Sequence, residues 1–427
     1  MPAAKNPVNT RPLPQGIRAA IALVLSLACL WAIWYAGYRG ISRLLTEYGG
    51  DMGQLALVER AVKMSPNDPD ARTGRGLMFS QLGRYAEAVL EFESAAKLRP
   101  RDYYLWLELG MARDQAGDQS GSERALRESV RLAPYYARPA WQLGNVLFRL
   151  GRQDEAFEQF RRAAASQPAL LPGIIDLAWG ATRSAEGTRS AVRPQTSFAH
   201  LAMAGFFARH GNGTEAVTEF RAAGSVSRDD ARELVKELLA QKAFGEAREI
   251  WAHEPGRNIS GEGNSLIYDG GFEQSLEIDD PGFGWQVPLS TTVIVLSLDA
   301  ADPYQGAQSL RIDFQGASNP ATSVISQIIL VEPNTRYRLR FATRMRDVVS
   351  GGLPLAVVAD AAAPDIMLAK STPFGSGVHP WSESSLEFTT GPQTKAVTVQ
   401  IRRTPCTTEP CPIFGSLWLD GFALQKA

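Results

Sequence analysis

Few residues of this chain have the type and spacing needed for covalent or metal chemistry. The four histidines, His200, His210, His253 and His379, stand far apart, and no pair has metal-ligand spacing. Three cysteines are too few for a four-thiolate zinc site or a disulfide-dense scaffold. There is no Gly-x-Ser-x-Gly elbow, phosphate-cradling glycine loop or His-rich metal motif. Acidic residues are plentiful throughout, so no carboxylate pair is marked out as general acid and base. The one local pairing is Cys406 with Cys411, in the loop Thr404-Pro405-Cys406-Thr407-Thr408-Glu409-Pro410-Cys411-Pro412. Pro405 before Cys406, and Pro410 and Pro412 around Cys411, hold a tight loop that a disulfide would close, two free thiols being the alternative. Such a bridge persists only in an oxidising compartment. Binding, rather than bond-making, is the expectation, with no catalytic residue.

The elements that would present binding residues follow from composition and pattern. The chain has 427 residues, 44% of them apolar, which allows two or three domains at roughly 100–200 residues each and excludes wholesale disorder. With 44 basic and 45 acidic side chains there is no basic surplus, which argues against nucleic acid as a partner.

Between Arg18 and Arg39 lie twenty uncharged residues, AAIALVLSLACLWAIWYAGY, enough for a helix of ~30 Å at ~1.5 Å per residue, the thickness of a hydrocarbon core. Trp31, Trp34, Tyr35 and Tyr38 gather toward its second end, as interfacial aromatic belts do. A cleaved signal peptide would have a shorter apolar core, so a retained span is expected. Leu27-Ala28-Cys29 resembles a lipoprotein cleavage box, but apolar residues continue past Cys29 and Ser26 stands where Leu is preferred. Lys5, Arg11 and Arg18 precede the span, and Arg39 and Arg43 follow it. That small excess places the N-terminus in the cytoplasm and the bulk of the chain in the periplasm or outside the cell.

Prolines then recur at Pro66, Pro100, Pro134 and Pro168, 34 residues apart, and glycines keep the same step at Gly76, Gly110, Gly144 and at Gly83, Gly117, Gly151. Trp106-Leu107-Glu108-Leu109-Gly110 reads as the first helix of a pair. Leu82-Gly83-Arg84-Tyr85-Ala86-Glu87-Ala88 reads as the turn and the second helix, closed by Phe92, Ala95 and Pro100. Over residues 69–170 this pattern resembles the tetratricopeptide repeat. Weaker pairs are expected at 39–66, with the first helix continuing the anchor, and at 197–227 and 229–253; the segment 171–196 departs from the pattern and reads as a helix followed by a loop. The resemblance implies a groove on the first helices that holds a peptide or partner protein, carried here by Tyr104, Glu108, Met111, Trp141, Gln142, Asn145 and Arg149. The family's carboxylate-clamping version is not implied, because Thr73 and Leu77 stand where Lys and Asn would be.

After Gly256 helical periodicity gives way to short alternating runs. Leu310-Arg311-Ile312-Asp313-Phe314, Arg336-Tyr337-Arg338-Leu339-Arg340-Phe341 and Val397-Thr398-Val399-Gln400-Ile401-Arg402 each alternate apolar with polar, as half-buried antiparallel strands do. The order Asp269-Gly270-Gly271-Phe272-Glu273, Gly284-Trp285, Gln305-Gly306-Ala307-Gln308-Ser309-Leu310, Val331-Glu332-Pro333-Asn334-Thr335-Arg336-Tyr337 and Gly415-Ser416-Leu417-Trp418-Leu419-Asp420-Gly421-Phe422 resembles the galactose-binding-like jelly roll of carbohydrate-binding modules. The resemblance implies a structural calcium ion joining the first and last strands, with Glu273 and Asp420 as carboxylate ligands. It also implies a polysaccharide ligand, for which Trp285, Tyr304, Trp381 and Trp418 are the candidate rings; Trp285 and Trp381 stand at positions the family uses mainly for packing. Arg336, Arg338 and Arg340 line one strand face and could hold an acidic glycan, although such a stripe is more often simply solvated.

The expected layout is therefore a multidomain α + β chain: a cytoplasmic tail at 1–18, a single transmembrane helix at 19–38, an α-helical tetratricopeptide-like solenoid at 39–255, a linker at 256–263 and an antiparallel jelly-roll β-sandwich at 264–427. It reads as a membrane-anchored, non-catalytic scaffold outside the cytoplasm, with a protein partner on the repeats and a glycan on the sandwich. The alternatives are a sandwich that merely caps the helices and, less favoured, a glycan hydrolase. A setting in envelope polysaccharide assembly or export rests on analogy alone.

Overall fold

A computed structural model of the chain describes residues 15–254, 257, 265–287, 293–406 and 410–427. Lys5, Arg11 and most of the expected cytoplasmic tail, the 256–263 linker apart from Arg257, and Thr407, Thr408 and Glu409 of the cysteine loop lie outside those residues. The chain divides into two compact units, Met1–Arg193 and Pro194–Ala427.

The first unit opens with helix α1 (Gln15–Asp51), whose N-terminal part is apolar and exposed and is long and apolar enough to cross a membrane. The same helix runs on without a break to become the first helix of the repeats. Its Ser42 is buried, with Oγ donating to the Ala61 carbonyl (3.1 Å), and Thr46 lies against Gly74. Helix pairs then follow: α2 (Leu55–Met64) completes the pair begun by α1. Next come α3 (Pro69–Gln81) with α4 (Tyr85–Leu98), α5 (Tyr103–Gln115) with α6 (Gln119–Leu132), and α7 (Ala137–Arg149) with α8 (Gln153–Ser166).

The periodic glycines have two separate jobs. Gly83, Gly117 and Gly151 end the first helices at φ of 72°, 85° and 77°, where a side chain would be strained. Gly110 and Gly144 let the helices of a pair approach: a Cβ there would lie 2.6 Å from Leu126 and Phe160 respectively. Asp68 and Asp102 cap α3 and α5 through the backbone N–H groups of Asp70 and Tyr104 (both 3.0 Å).

The segment 171–196 corrects the expectation of one helix and a loop. It forms α9 (Leu171–Thr182) and a second helix, α10 (Ala185–Val192). Ser184 caps α10 by accepting from Gly187 N–H (2.9 Å), and the absent Cβ of Gly187 leaves room for Thr182. A glycine in the first helical turn is thus a packing residue, and only Pro194 stops the helix.

The second unit begins with α11 (Ser197–Arg209), α12 (Gly213–Ala223), α13 (Arg228–Ala240) and α14 (Phe244–Ala252). It continues with β1 (Ile294–Asp299), β2 (Ser309–Ala317), β3 (Ile325–Leu330), β4 (Arg336–Ser350), β5 (Pro354–Asp360), β6 (Ala363–Lys370), β7 (Gly377–Thr389), β8 (Ala396–Arg403) and β9 (Pro412–Lys426). All pairings between these strands are antiparallel, in a sheet of order β1-β2-β9-β4-β7 and another of order β3-β8-β5-β6. The alternating runs behave as read: Leu310, Ile312 and Phe314 point inward with Leu339, Leu417 and Leu419 of the same sheet. They meet Ile325, Val358, Val397, Val399 and Ile401 of the other sheet in a single core.

Candidate functional site

In the first unit α5 and α7 lie side by side, joined by charged pairs. Arg138 of α7 donates to the buried carboxylate of Glu108 (3.1 Å), and Arg149 donates to Asp114 (2.6 Å). Burial raises the Glu108 pKa, an effect that Arg138 and the Tyr104 hydroxyl only partly offset. Burial and the Glu108 charge raise that of Tyr104. Met111 joins this group through its sulfur, 3.7 Å from the Arg138 guanidinium. Gln142 and Asn145, one helical turn apart on α7, are half-buried, and their amides have no hydrogen-bond partner among the described residues. Trp141 sits differently from its neighbours, with its ring 5.1 Å from Phe160 and packed into the pair α7–α8.

On the sandwich the structure separates the four candidate rings. Trp285 is 4% exposed, stacks on Phe272 (5.1 Å) and donates to the Asp269 carbonyl (2.9 Å). It is a core residue, and its assignment to sugar contact is corrected. Trp418 is 1% exposed and is corrected likewise. It points outward from β9, but the guanidiniums of Arg344, Arg311 and Arg346 cover its ring at 4.3, 5.2 and 5.3 Å, and its indole N–H donates to Asp299 (2.7 Å).

Tyr304 and Trp381 remain at the surface as a pair, ring centroids 5.8 Å apart. Each is pinned by its polar tip: the Tyr304 hydroxyl bonds Glu383 (2.5 Å), and the Trp381 indole N–H donates to the Asp302 carbonyl (2.9 Å). Arg344 ion-pairs with Asp302 and lies 5.3 Å over the Trp381 ring. Sequence reasoning missed Arg344, Arg346, Arg311, Asp302 and Glu383. The only available signal was strand alternation, which places Arg344 and Arg346 on the same face as Arg340. Arg336 and Arg338 share Glu387, whose pKa their hydrogen bonds lower, while Arg340 reaches only Gln425 (3.4 Å).

Glu273 and Asp420 are brought together at the loop 304–307. A Cβ on Gly271 would lie 3.8 Å from an oxygen of each. Asp420 is fully buried and accepts from the backbone N–H groups of Tyr304 (2.9 Å), Gln305 (3.0 Å) and Gly421 (2.6 Å); Glu273 accepts from Ala307 N–H (2.9 Å). Burial raises the Asp420 pKa, those N–H groups oppose it, and the Glu273 charge adds to the rise. Neither acid has a basic partner among the described residues, nor does any group of three or more His, Cys, Asp or Glu there form a metal cluster. Cys406 and Cys411 are bonded to each other. The buried Arg403 donates to the Cys411 carbonyl (3.0 Å), the Gly352 carbonyl (3.1 Å) and the Ser318 carbonyl (2.9 Å).

A second feature without a sequence signal joins α13 and α14 to the segment before β1. Glu254, 4% exposed, accepts from Arg228, from Arg232 (2.9 Å) and from Arg257 (2.9 Å). Arg228 and Arg232 also reach Glu277 (both 2.6 Å), and Arg257 pairs with Asp280 (3.2 Å). Trp251 lies under the Arg257 guanidinium (3.9 Å) and donates to Asp280 (2.7 Å).

The repeats are tetratricopeptide repeats: the family profile of that description matches residues 55–103, 80–137 and 107–170. Repeats of this kind are protein-interaction scaffolds. A TPR repeat-containing protein of Pseudomonas aeruginosa is 33% identical over 88 residues, 21% of this chain and 36% of that protein. The peroxisomal targeting signal receptor of Candida albicans is 28% identical over 102 residues, 23% of this chain and 17% of the receptor. The chain thus spans well under half the length of either relative. Among solved structures, MamA from Desulfovibrio magneticus is similar with a TM-score of 0.32 and 20% identity, over 44% of this chain and 96% of that one. YrrB, described as a TPR protein with an unusual peptide-binding site, is similar with a TM-score of 0.29 and 17% identity, over 50% of this chain and 89% of that one. Scores of this size carry no argument about function.

Proposed function

We propose that the protein is a membrane-anchored, non-catalytic scaffold outside the cytoplasm. Its repeats hold a protein partner, its sheet domain holds a glycan, and it serves envelope polysaccharide assembly or export. The partner reading is carried by Gln142 and Asn145. Two half-buried amides without partners sit beside the Glu108–Arg138 pair and match the alternating donors and acceptors of a peptide backbone. The exposed, polar-tipped Tyr304–Trp381 pair favours a sugar on the sheet domain. The apolar α1 favours the anchor, and the Cys406–Cys411 bridge favours an oxidising compartment. The unpaired Glu273 and Asp420 suit a hard cation such as calcium, with further oxygens from backbone and water.

One observation favours a second reading, in which the sheet domain caps the helices and binds no sugar. The Arg257–Glu254–Asp280 junction gives that domain a structural task of its own. The test is a photo-crosslinking residue at position 145 in cells, combined with protease added outside them (the outer membrane permeabilised where present). A discrete protein adduct and loss of the C-terminal part to external protease are expected. No adduct from position 145 would sink the partner reading, and a C-terminal part cut only after lysis would sink the placement outside the cytoplasm.

A further inference from the structure

The outward residues of β2, β4, β7 and β9 form one continuous face centred on Trp418. Residues 265–427 contain eleven Lys and Arg against sixteen Asp and Glu, an acidic stretch, yet six of those bases (Arg311, Arg336, Arg338, Arg340, Arg344 and Arg346) lie on this face. Their compensation is uneven. Arg336 and Arg338 have Glu387, Arg311 has Asp313, and Arg344 has Asp302. Arg346 is exposed with no acidic partner among the described residues, and Arg340 meets only a glutamine. The Nε of Arg344 is buried without a hydrogen-bond partner, so donor capacity at the centre of the face is unused.

We propose that this face binds an acidic saccharide, with carboxylates held by Arg346 and Arg340 and a sugar ring held against Trp381 and Tyr304. The proposal rests on the glycan reading above and narrows it to a uronate-type chain. The planar guanidinium fork matches a carboxylate, and the partly exposed Trp381 and Tyr304 rings offer an apolar surface beside Asp302 and Glu383, whose oxygens accept sugar hydroxyls. What favours a saccharide over an acidic peptide is the ring pair itself, whose apolar faces beside oxygen acceptors suit a sugar ring with its hydroxyls. From Arg340 to Arg346 the strand runs roughly 20 Å at ~3.3 Å per residue, the reach of a short oligosaccharide rather than one sugar. Of the three arginines that roof Trp418, Arg311 and Arg344 are also held by acids, whereas Arg346 is held over the ring with no acid beside it among the described residues, so its charge stays available to a ligand.

The test is calorimetric titration of the full chain in detergent micelles with polygalacturonate, dextran and dextran sulfate, repeated for Arg346→Gln and Trp381→Ala, with thermal melting to check that each variant is folded. Polygalacturonate should bind and dextran should not. Arg346→Gln should weaken binding about tenfold, the loss of one charge-assisted hydrogen bond, and Trp381→Ala at least as much. Dextran binding as tightly, with no effect of Arg346→Gln, would overturn the acidic specificity and leave the glycan reading intact. Dextran sulfate binding as tightly, indifferent to Trp381→Ala, would show a surface that reads charge alone and overturn the proposal. Binding of none of the three would overturn both readings.

Discussion

Replacing Glu254 by Gln probes the junction between the last helices and the sheets. The carboxylate takes hydrogen bonds from three guanidiniums, those of Arg228, Arg232 and Arg257. Glutamine keeps the size but offers one acceptor oxygen and turns an amide N–H₂ toward groups that can only donate. Three arginines then face two remaining acids, Glu277 and Asp280, so one positive charge is uncompensated. Arg228 is about half exposed and water will satisfy much of its loss, but Arg257 is 2% exposed and has no such recourse. Removing one partner of a buried pair costs ~3–5 kcal/mol, and the exposure of Arg228 argues for the lower end. At about 2–4 °C per kcal/mol for a unit of this size, the melting transition of residues 194–427 should fall by roughly 6–12 °C. That of the first unit should stay in place. Burial opposes ionisation of Glu254, yet the hydrogen bonds of Arg257, Arg228 and Arg232 prevail and hold its pKa below the ordinary value. Its contribution is therefore complete above the unfolded-state pKa of about 4.3 and fades as pH falls through the lower folded value. The gap between parent and Glu254→Gln should be constant from pH 7 to 5 and close toward pH 3. Thermal scans of the full chain in detergent measure both. A loss under ~1 kcal/mol at pH 7, the scale of a surface pair, would refute the reasoning.

Gly110→Val would push a β-branched side chain into Leu126, where even a Cβ meets the neighbour at 2.6 Å; overpacking should cost ~1–3 kcal/mol or more, read as a lower melting temperature of the repeats alone. Calcium at millimolar concentration should raise the melting temperature of the sheet unit, and Asp420→Asn should abolish the shift. No shift in the parent would mean that the backbone N–H groups alone hold the pair. Reduction of Cys406–Cys411 should cost about 2 kcal/mol, the loop entropy of so short a ring, and Cys411→Ser should be insensitive to added reductant.

What could be read from sequence had local causes. The 34-residue period is visible because glycine at φ of 72–85° and glycine under a neighbouring helix are backbone requirements that no other residue meets as cheaply. Strands β2, β4 and β8 are visible because one face is buried in a common core and the other is not. The failures have causes far apart in sequence. Alternation gives Trp418 an outward position, but its cover comes from residues 311, 344 and 346 on two other strands, so an apparent sugar platform is a buried ring. The ion pairs of Arg228, Arg232 and Arg257 are likewise invisible in sequence, because their acids lie in an irregular segment that carries no periodicity.

The continuity of α1 has a mechanical consequence for the proposed anchor. Residues 15–51 form one helix, and its C-terminal part is fixed to the first repeat by Ser42, buried against the Ala61 carbonyl, and by Gly49, over which Leu57 and Val58 close. A bilayer-embedded N-terminal part would therefore set the direction of the first repeats, since an unbroken helix bends only gently. Gly37→Pro would test this. Proline removes one backbone hydrogen bond and clashes with the preceding turn, kinking the helix at a cost of ~3 kcal/mol or more without touching Ser42 or Gly49. The repeats should melt as in the parent, while the distance from a probe on α4 to the membrane surface, read by quenching in vesicles, should change. An unchanged distance would mean that contacts other than α1 orient the repeats.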